Sequence, residues 1–444
     1  MKRVAMFFLA LATVVAGAHA GELPRRGTLG LALAPSADGN GLKVVQVMNP
    51  NAGAAVAVDD VVLTINGKPL TGPKGVGTGG ATYGIKPGDK VKVEIVRGGA
   101  AQTIEVVAIA APPPSLDGRA IEMGTAQAKG GPRVRTYLLE PADKKLARRG
   151  KLPAVMILPG INCGTVEAFA VAGHPYTKLF KMFTSAGFVA VMADKPGQGD
   201  SEGTPCFDGG FDVEVEAFKA AAASFVADKR IDAKRFYIVG LSMGGLQAPL
   251  VSEAVPAAGI VSWGGLTGRW YDYLLTTVYR RAVLQGDDPV ASFAFNQHWR
   301  RVLSAVFVDG KAPETIQREM PEAFAAVAGS EDSDLTSFAG RAWVFHREVD
   351  RAPIVRAWNA YKGRLLALHG EFDWVSEMHD HRLAADIVNR LRPGEAAFEV
   401  VAGNDHVNTK HKSLADSFAK FGQGEADDTF FTRCVAWIAG LAGT

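Results

Sequence analysis

Three side chains far apart in the chain, Ser242, Asp373 and His406, are of the types that together cleave acyl bonds. A serine hydroxyl is a weak nucleophile until a base takes its proton, and the base works best when a carboxylate orients it. Ser242 lies in Gly240-Leu241-Ser242-Met243-Gly244-Gly245, after the apolar run Phe236-Tyr237-Ile238-Val239 and before the helix-compatible segment Leu246 to Glu253. A buried strand that turns straight into a helix holds such a serine up with its hydroxyl exposed. Gly240 and Gly244 are small enough to let the two backbones approach. In this turn the Met243 N–H points at the oxygen that becomes negative during acyl transfer. Asp373 follows the apolar stretch Leu365 to Leu368, and His406 follows Phe398 to Val401. Each therefore sits on a turn after a strand, in the order serine, acid, histidine.

Rivals exist for both partners. Glu371 and Asp380 lie near Asp373, and Asp405 precedes His406, where a local hydrogen-bonding role is expected for it. His379, His381 and His411 are expected at the surface, and His369 buried at a strand end as a structural residue. The nine histidines show no H-E-x-x-H or similar spacing, so no metal and no cofactor is assigned.

These residues need a sheet to hold them. From residue 119 onward the pattern alternates strand and helix. Arg119 to Ala128 and Arg133 to Leu139 read as a hairpin around Lys129-Gly130-Gly131-Pro132. Ala154 to Leu158, Phe188 to Ala193, Arg235 to Val239, Ala257 to Trp263, Arg364 to Leu368 and Ala397 to Val401 read as strands. Tyr176, Leu179, Phe180 and Phe183 share one helical face, as do Phe211, Val215, Phe218, Ala222 and Phe225. Leu383, Ile387 and Leu391 mark a further helix, and Phe430, Cys434, Trp437 and Leu441 a terminal one. Such alternation predicts a mostly parallel α/β sheet covered on both faces. Between Thr267 and Lys362 the pattern breaks into an aromatic-rich stretch, read as a helical cap at about 267–362 whose aromatics pack the cap and, for a few, line a pocket.

Upstream, residues 25–110 form a small β-rich unit. Leu42 to Val47, Asp60 to Ile65 and Lys90 to Val96 alternate, and Asn49-Pro50-Asn51, Asn66-Gly67 and Pro87-Gly88-Asp89 supply turns. Arg26-Gly27-Thr28-Leu29-Gly30-Leu31, Pro50-Asn51-Ala52-Gly53, Asp59 to Gly67 and Pro87-Gly88-Asp89 before a strand resemble a bacterial PDZ domain. The resemblance implies a peptide added to an open sheet edge, its carboxylate in the Leu29-Gly30-Leu31 loop. The segment matching the groove helix, Lys74 to Gly84, holds five glycines, each costing about 1 kcal/mol against alanine, so that helix is expected short or absent. A docking role for the unit stands beside peptide binding. Ala111-Pro112-Pro113-Pro114-Ser115, within a linker at 111–118, is stiff because consecutive prolines favour an extended chain.

The elbow, His369-Gly370-Glu371-Phe372-Asp373 and His406 resemble the α/β-hydrolase fold over residues 119–444. Asp194-Lys195-Pro196-Gly197-Gln198-Gly199-Asp200-Ser201 matches a turn of its capped lipase and proline-iminopeptidase-like branch, in which Ser201 is structural. The resemblance places a second oxyanion donor in Pro159-Gly160-Ile161-Asn162-Cys163, at the N–H of Ile161 with Asn162 as the alternative. It also puts Cys163 and Cys206 on loops at one end of the sheet, where a disulfide would stabilise by about 4 kcal/mol in the chain-entropy model.

Composition bounds the rest. The 48 Lys and Arg nearly balance 46 Asp and Glu, which gives no charge excess for nucleic acid. Met1-Lys2-Arg3, the apolar Val4 to Gly17 and Ala18-His19-Ala20 read as a signal peptide over 1–20, with a mature chain in the periplasm or outside the cell and an uncleaved anchor as the alternative. An exported serine hydrolase acting on carboxylic esters is the first expectation. A serine peptidase, with Glu331, Asp332 and Asp334 as candidates to grip a substrate amine, is the second, and a non-catalytic PDZ-type peptide-binding protein the third.

Overall fold

A computed structural model describes residues 22–443 except 37–38, 53–54, 72–76, 148–149, 168–172, 329–336 and 339. The leader expected over 1–20 and the acidic candidates Glu331, Asp332 and Asp334 lie outside these residues.

The N-terminal unit is an antiparallel sheet of β1 (Leu31–Pro35), β2 (Leu42–Val47), β3 (Val61–Ile65), β4 (Lys90–Arg97) and β5 (Ala100–Val107), paired in that order. Val91, Val93 and Ile95 of β4 are all buried in its core, as their period-two spacing requires. The groove helix is short, Gly77–Thr82. Gly27–Thr28 pairs with Ile109–Ala110, so entry to and exit from the unit close on each other.

The linker is tied down as well as stiff. Arg25 donates to the carbonyls of Ala111 (3.1 Å) and Pro112 (2.9 Å), and across the domain boundary to Asp200 (2.5 Å) and Glu167 (2.7 Å).

The larger domain is built on β6 (Glu122–Gln127), β7 (Arg133–Leu139), β8 (Leu152–Leu158), β9 (Val189–Ala193), β10 (Ile231–Leu241), β11 (Gly259–Trp263), β12 (Arg364–Gly370) and β13 (Ala396–Val401). Their order across the sheet is β6-β7-β9-β8-β10-β11-β12-β13. The β6–β7 and β7–β9 pairs are antiparallel and the rest parallel. Both faces are buried, so the strands read as apolar runs that split residue by residue between two cores. Val155 and Ile157 join Leu179, Phe180, Phe430 and Ile438 on one side. Ala154, Met156 and Leu158 join Phe211, Phe218, Leu246 and Val388 on the other.

The described residues of 267–362 are mostly helical, with Trp270–Gln285, Pro289–Phe307, Pro313–Glu319, Pro321–Ala328, Trp343–Arg351 and Ile354–Ala360. Gly286, at φ +92°, ends the first of these, and Asp288 caps the second by accepting from Ala291 N at 2.8 Å, with Pro289 at its first position. A short hairpin, Ser337–Phe338 with Arg341–Ala342, was not legible in the sequence. Most cap aromatics pack: Trp299, Phe307, Trp343 and Phe345 are buried, whereas Phe293 and Phe295 are exposed. No helix among the described residues is long and apolar enough to cross a membrane.

Candidate functional site

The turn between β10 and the helix Met243–Ser252 holds Ser242 at φ 53°, ψ −118°, a left-handed conformation that a residue with a Cβ adopts at a cost of about 1–3 kcal/mol. Neighbouring backbone fixes it there: Ser242 N donates to the Trp263 carbonyl at 2.6 Å and Gly245 N to the Ser242 carbonyl at 2.8 Å. The glycines are required by contact. A Cβ on Gly240 would overlap the Gly244 carbonyl, and one on Gly244 the Leu158 carbonyl at the end of β8.

β12 ends in a turn that points Asp373 inward. Oδ1 accepts from Val375 N (2.7 Å) and Ser376 N (2.9 Å), and Oδ2 from the Ser376 hydroxyl (2.5 Å). Oδ2 also lies 2.8 Å from His406 Nδ1. Burial alone would raise the Asp373 pKa, but the charge of His406 and its hydrogen bond outweigh burial and hold the carboxyl well below the usual range. Burial alone would lower the pKa of His406; Asp373 and, more weakly, Asp405 outweigh it and raise it above 6.5. The loop after β13 is anchored by Trp263 Nε1, which donates to the His406 carbonyl at 2.8 Å. Gly264, at φ +63°, leaves room for the imidazole, since a Cβ there would stand 2.5 Å from its Cε1.

Ser242, His406, Met243 and Ile161 line one cavity of about 220 Å³. Its remaining wall is largely apolar, with Leu246, Leu266, Trp270, Tyr273, Leu274 and Val278 among its residues. Among the described residues, Trp270 and Tyr273 are thus the cap aromatics that reach the pocket. Of the two donors considered on the loop after β8, Ile161 lines the cavity and Asn162 is exposed. Cys163 and Cys206 form a disulfide, their Cα atoms 5.7 Å apart, leaving Cys434 as a buried free thiol.

The rivals fall into other roles. Asp405 accepts from Val407 N, Thr409 N and the Thr409 hydroxyl, and Asp380 from Thr267 N and Gly268 N. Glu371 is exposed and accepts from Gly403 N at 2.8 Å. His369 is buried beside Ser376, as expected. Two expectations need correction: His381 and His411 are buried, not at the surface. His381 faces the core side of its helix, with Nδ1 2.8 Å from the Glu377 carbonyl, and His411 packs between Asp405 and Asp416. Among the described residues no group of three His, Cys, Asp or Glu has the arrangement to hold a metal ion.

In the N-terminal unit Gly30, at φ +62°, shapes the loop, and its carbonyl accepts from Met48 N at 2.8 Å. Leu29 and Leu31 line a second cavity of about 610 Å³, whose opposite wall is the larger domain, including Cys163, Gly197, Pro205 and Phe207. Sequence reasoning passed over the buried charges Lys195, Asp200, Glu214 and Arg341, because single charged residues in loops and amphipathic helices read as solvated.

Residues 169–407, more than half of the chain, match the family described as serine aminopeptidase, S33, and residues 27–107 match the PDZ domain. No curated protein matches the chain. Among solved structures, the chain is similar to Est1E from Butyrivibrio proteoclasticus with ferulic acid bound (13% identity, 72% of this chain and 99% of that one, TM-score 0.44). It is also similar to an esterase from Pyrococcus furiosus (13%, 75% and 96%, TM-score 0.43). A third is the α/β-hydrolase GrgF from Penicillium sp. sh18 (15%, 73% and 99%, TM-score 0.45). The chain belongs to the serine aminopeptidase, S33, family of α/β-hydrolases: it is a serine hydrolase carrying an N-terminal PDZ domain.

Proposed function

We propose that this chain is an exported hydrolase that cleaves carboxylic esters with an apolar acyl group, using Ser242, His406 and Asp373. Ser242 Oγ attacks the ester carbonyl while His406 Nε2 takes its proton, and Asp373 holds the opposite ring nitrogen and stabilises the imidazolium. The N–H groups of Met243 and Ile161 hold the oxyanion. His406 returns the proton to the leaving alcohol, and water then hydrolyses the acyl-enzyme by the same steps.

The observation that carries the ester reading is the cavity wall. Among the described residues that line it there is no carboxylate, so none of them compensates a substrate ammonium desolvated beside Ser242. The family's description as aminopeptidases favours the second reading, a peptidase whose amine clamp comes from elsewhere, Glu331, Asp332 and Asp334 being candidates. A third, peptide binding without catalysis, rests on the PDZ groove. A periplasmic or secreted location rests on the leader-like residues 1–20 and agrees with the Cys163–Cys206 disulfide. The PDZ domain offers Leu29, Gly30 and Leu31 to a peptide or protein C-terminus.

Turnover of p-nitrophenyl esters of rising acyl length against aminoacyl anilides, with fluorophosphonate labelling, tests the assignment. Ester cleavage and labelling lost in Ser242→Ala support it. Anilide preference shifts it to the peptidase, and an unlabelled wild type to the binding protein.

A further inference from the structure

The oxyanion loop's three successive carbonyls are all held by side chains away from the cavity. Lys195 Nζ donates to the carbonyls of Gly160 (2.5 Å) and Asn162 (3.1 Å), and Gln198 Nε2 also reaches Asn162 (3.4 Å). Arg341 Nη1 donates to the Ile161 carbonyl between them (3.0 Å). A peptide unit is planar and trans, so the carbonyl of Gly160 and the N–H of Ile161 point in opposite directions. Holding that one oxygen against Lys195 therefore sets the direction of the N–H assigned above to the oxyanion. Were the peptide to flip, a carbonyl oxygen would replace the donor and repel the developing charge.

Both cations converge on one carboxylate. Glu214 Oε1 lies 3.3 Å from Lys195 Nζ and accepts from Gln247 Nε2 at 2.8 Å, while Oε2 accepts from Arg341 Nη2 at 2.9 Å. Lys195, Glu214, Gln247 and Arg341 are all almost wholly buried. Gln247 belongs to the helix that begins just after Ser242, and Arg341 to the cap hairpin, where its guanidinium stacks 3.7 Å over Phe345. Glu214 thus joins the loop, the nucleophile's helix and the cap. Buried ion pairs are weak stabilising devices, since apolar residues of similar volume often do as well. Apolar residues have no donors for three carbonyls, and that is the work this cluster performs.

We propose that Lys195, Glu214 and Arg341 are positioning residues that preset the oxyanion hole, and that Arg341 makes the hole depend on the cap being seated. This rests on the reading of Ile161 N–H as an oxyanion donor.

The test uses the full chain, p-nitrophenyl butyrate as substrate and a trifluoromethyl ketone as transition-state analogue. In Arg341→Gln and Lys195→Met the expected result is a loss of roughly 10- to 100-fold in kcat, below the loss from deleting a donor outright. KM stays within about threefold, and analogue affinity weakens in the same ratio as kcat/KM. Lys195→Arg, which keeps a donor to the carbonyls, restores part of the loss. Because a lone buried charge can prevent folding, the triple variant Lys195→Met/Glu214→Gln/Arg341→Met removes all three charges without stranding one, and the same losses are expected. Any of these variants that folds yet keeps wild-type kcat and analogue affinity overturns the positioning role, even if its melting temperature falls. Hydrolysis retained by Ser242→Ala overturns the catalytic reading itself, and the proposal with it.

Discussion

His406 Nδ1 stands 2.8 Å from Asp373 Oδ2, a bond between the loop after β13 and the turn after β12. Its electrostatic consequence is a histidine with a raised pKa. The general base proposed here, His406, must be neutral to accept the serine proton, so activity should be lost as pH falls through its pKa. The acid limb of kcat/KM is therefore expected above pH 6.5. Asp373→Asn removes the charge that raises it. The limb should move to lower pH, and kcat should fall by about 10⁴-fold, the scale known for triads whose histidine is left in the wrong tautomer. Profiles of kcat/KM from about pH 5 to 9 on both proteins check the shift.

The strain at Ser242 predicts an opposition between stability and activity. At φ 53° glycine carries no Cβ penalty, while its extra unfolded-state entropy costs about 0.5–1 kcal/mol. With about 1–3 kcal/mol of strain removed, Ser242→Gly should be inactive yet more stable by roughly 1 kcal/mol. A higher urea midpoint at unchanged slope is the expected result. A lower midpoint would mean that the turn is relaxed with serine in place.

How far the sequence reached depends on which physics was local. Strands such as β8 and β9, apolar at every position, announced a sheet covered on both sides. Gly240 and Gly244 announced the elbow because only close backbone approach needs them there. The places of Asp373 and His406 after strands were legible from the apolar runs before them. What escaped notice depends on tertiary partners. Nothing around His381 distinguishes a helix face turned inward from one turned to water. Lys195 and Arg341 look like ordinary loop cations until Glu214 is brought between them. Each strand of the cap hairpin, Ser337–Phe338 and Arg341–Ala342, is two residues long, too short for alternation to register.

Asp200 predicts how firmly the two domains hold. Its carboxylate accepts from Arg25 Nη1 (2.5 Å), Arg26 N (2.9 Å) and Arg135 Nε (3.0 Å), with Arg135 itself buried. Asp200→Ala leaves the Arg135 charge uncompensated in the interior, and removal of one partner of a buried pair costs about 3–5 kcal/mol. Calorimetry should show that loss. Trypsin should also cut at Arg25 and Arg26 faster than in the wild type, since Glu167 alone would then pair with both side chains. Equal cleavage rates would show that the domain contact does not depend on this carboxylate.

The buried pair His369 and His381, ring centroids 4.8 Å apart, predicts acid sensitivity away from the catalytic step. Burial, then the proximity of the two rings in the case of His369, pulls each pKa down to about 4. The unfolded chain takes up these protons near pH 6.5, so between pH 6.5 and about 4 it binds more protons than the folded one. These two histidines then lower stability as pH drops through that window, by about 2 kcal/mol each between pH 7 and 5. His381→Phe keeps an aromatic ring against His369 and removes one titrating group. Its absolute stability is expected to be lower, because the hydrogen bond near the Glu377 carbonyl goes. The slope of stability against pH in the window should nevertheless fall by one histidine's share, since Asp194, whose carboxyl burial pushes up to about 6, opposes the histidines equally in both proteins. Urea unfolding at a series of pH values measures the slope directly, and an unchanged slope would place the acid sensitivity in other groups.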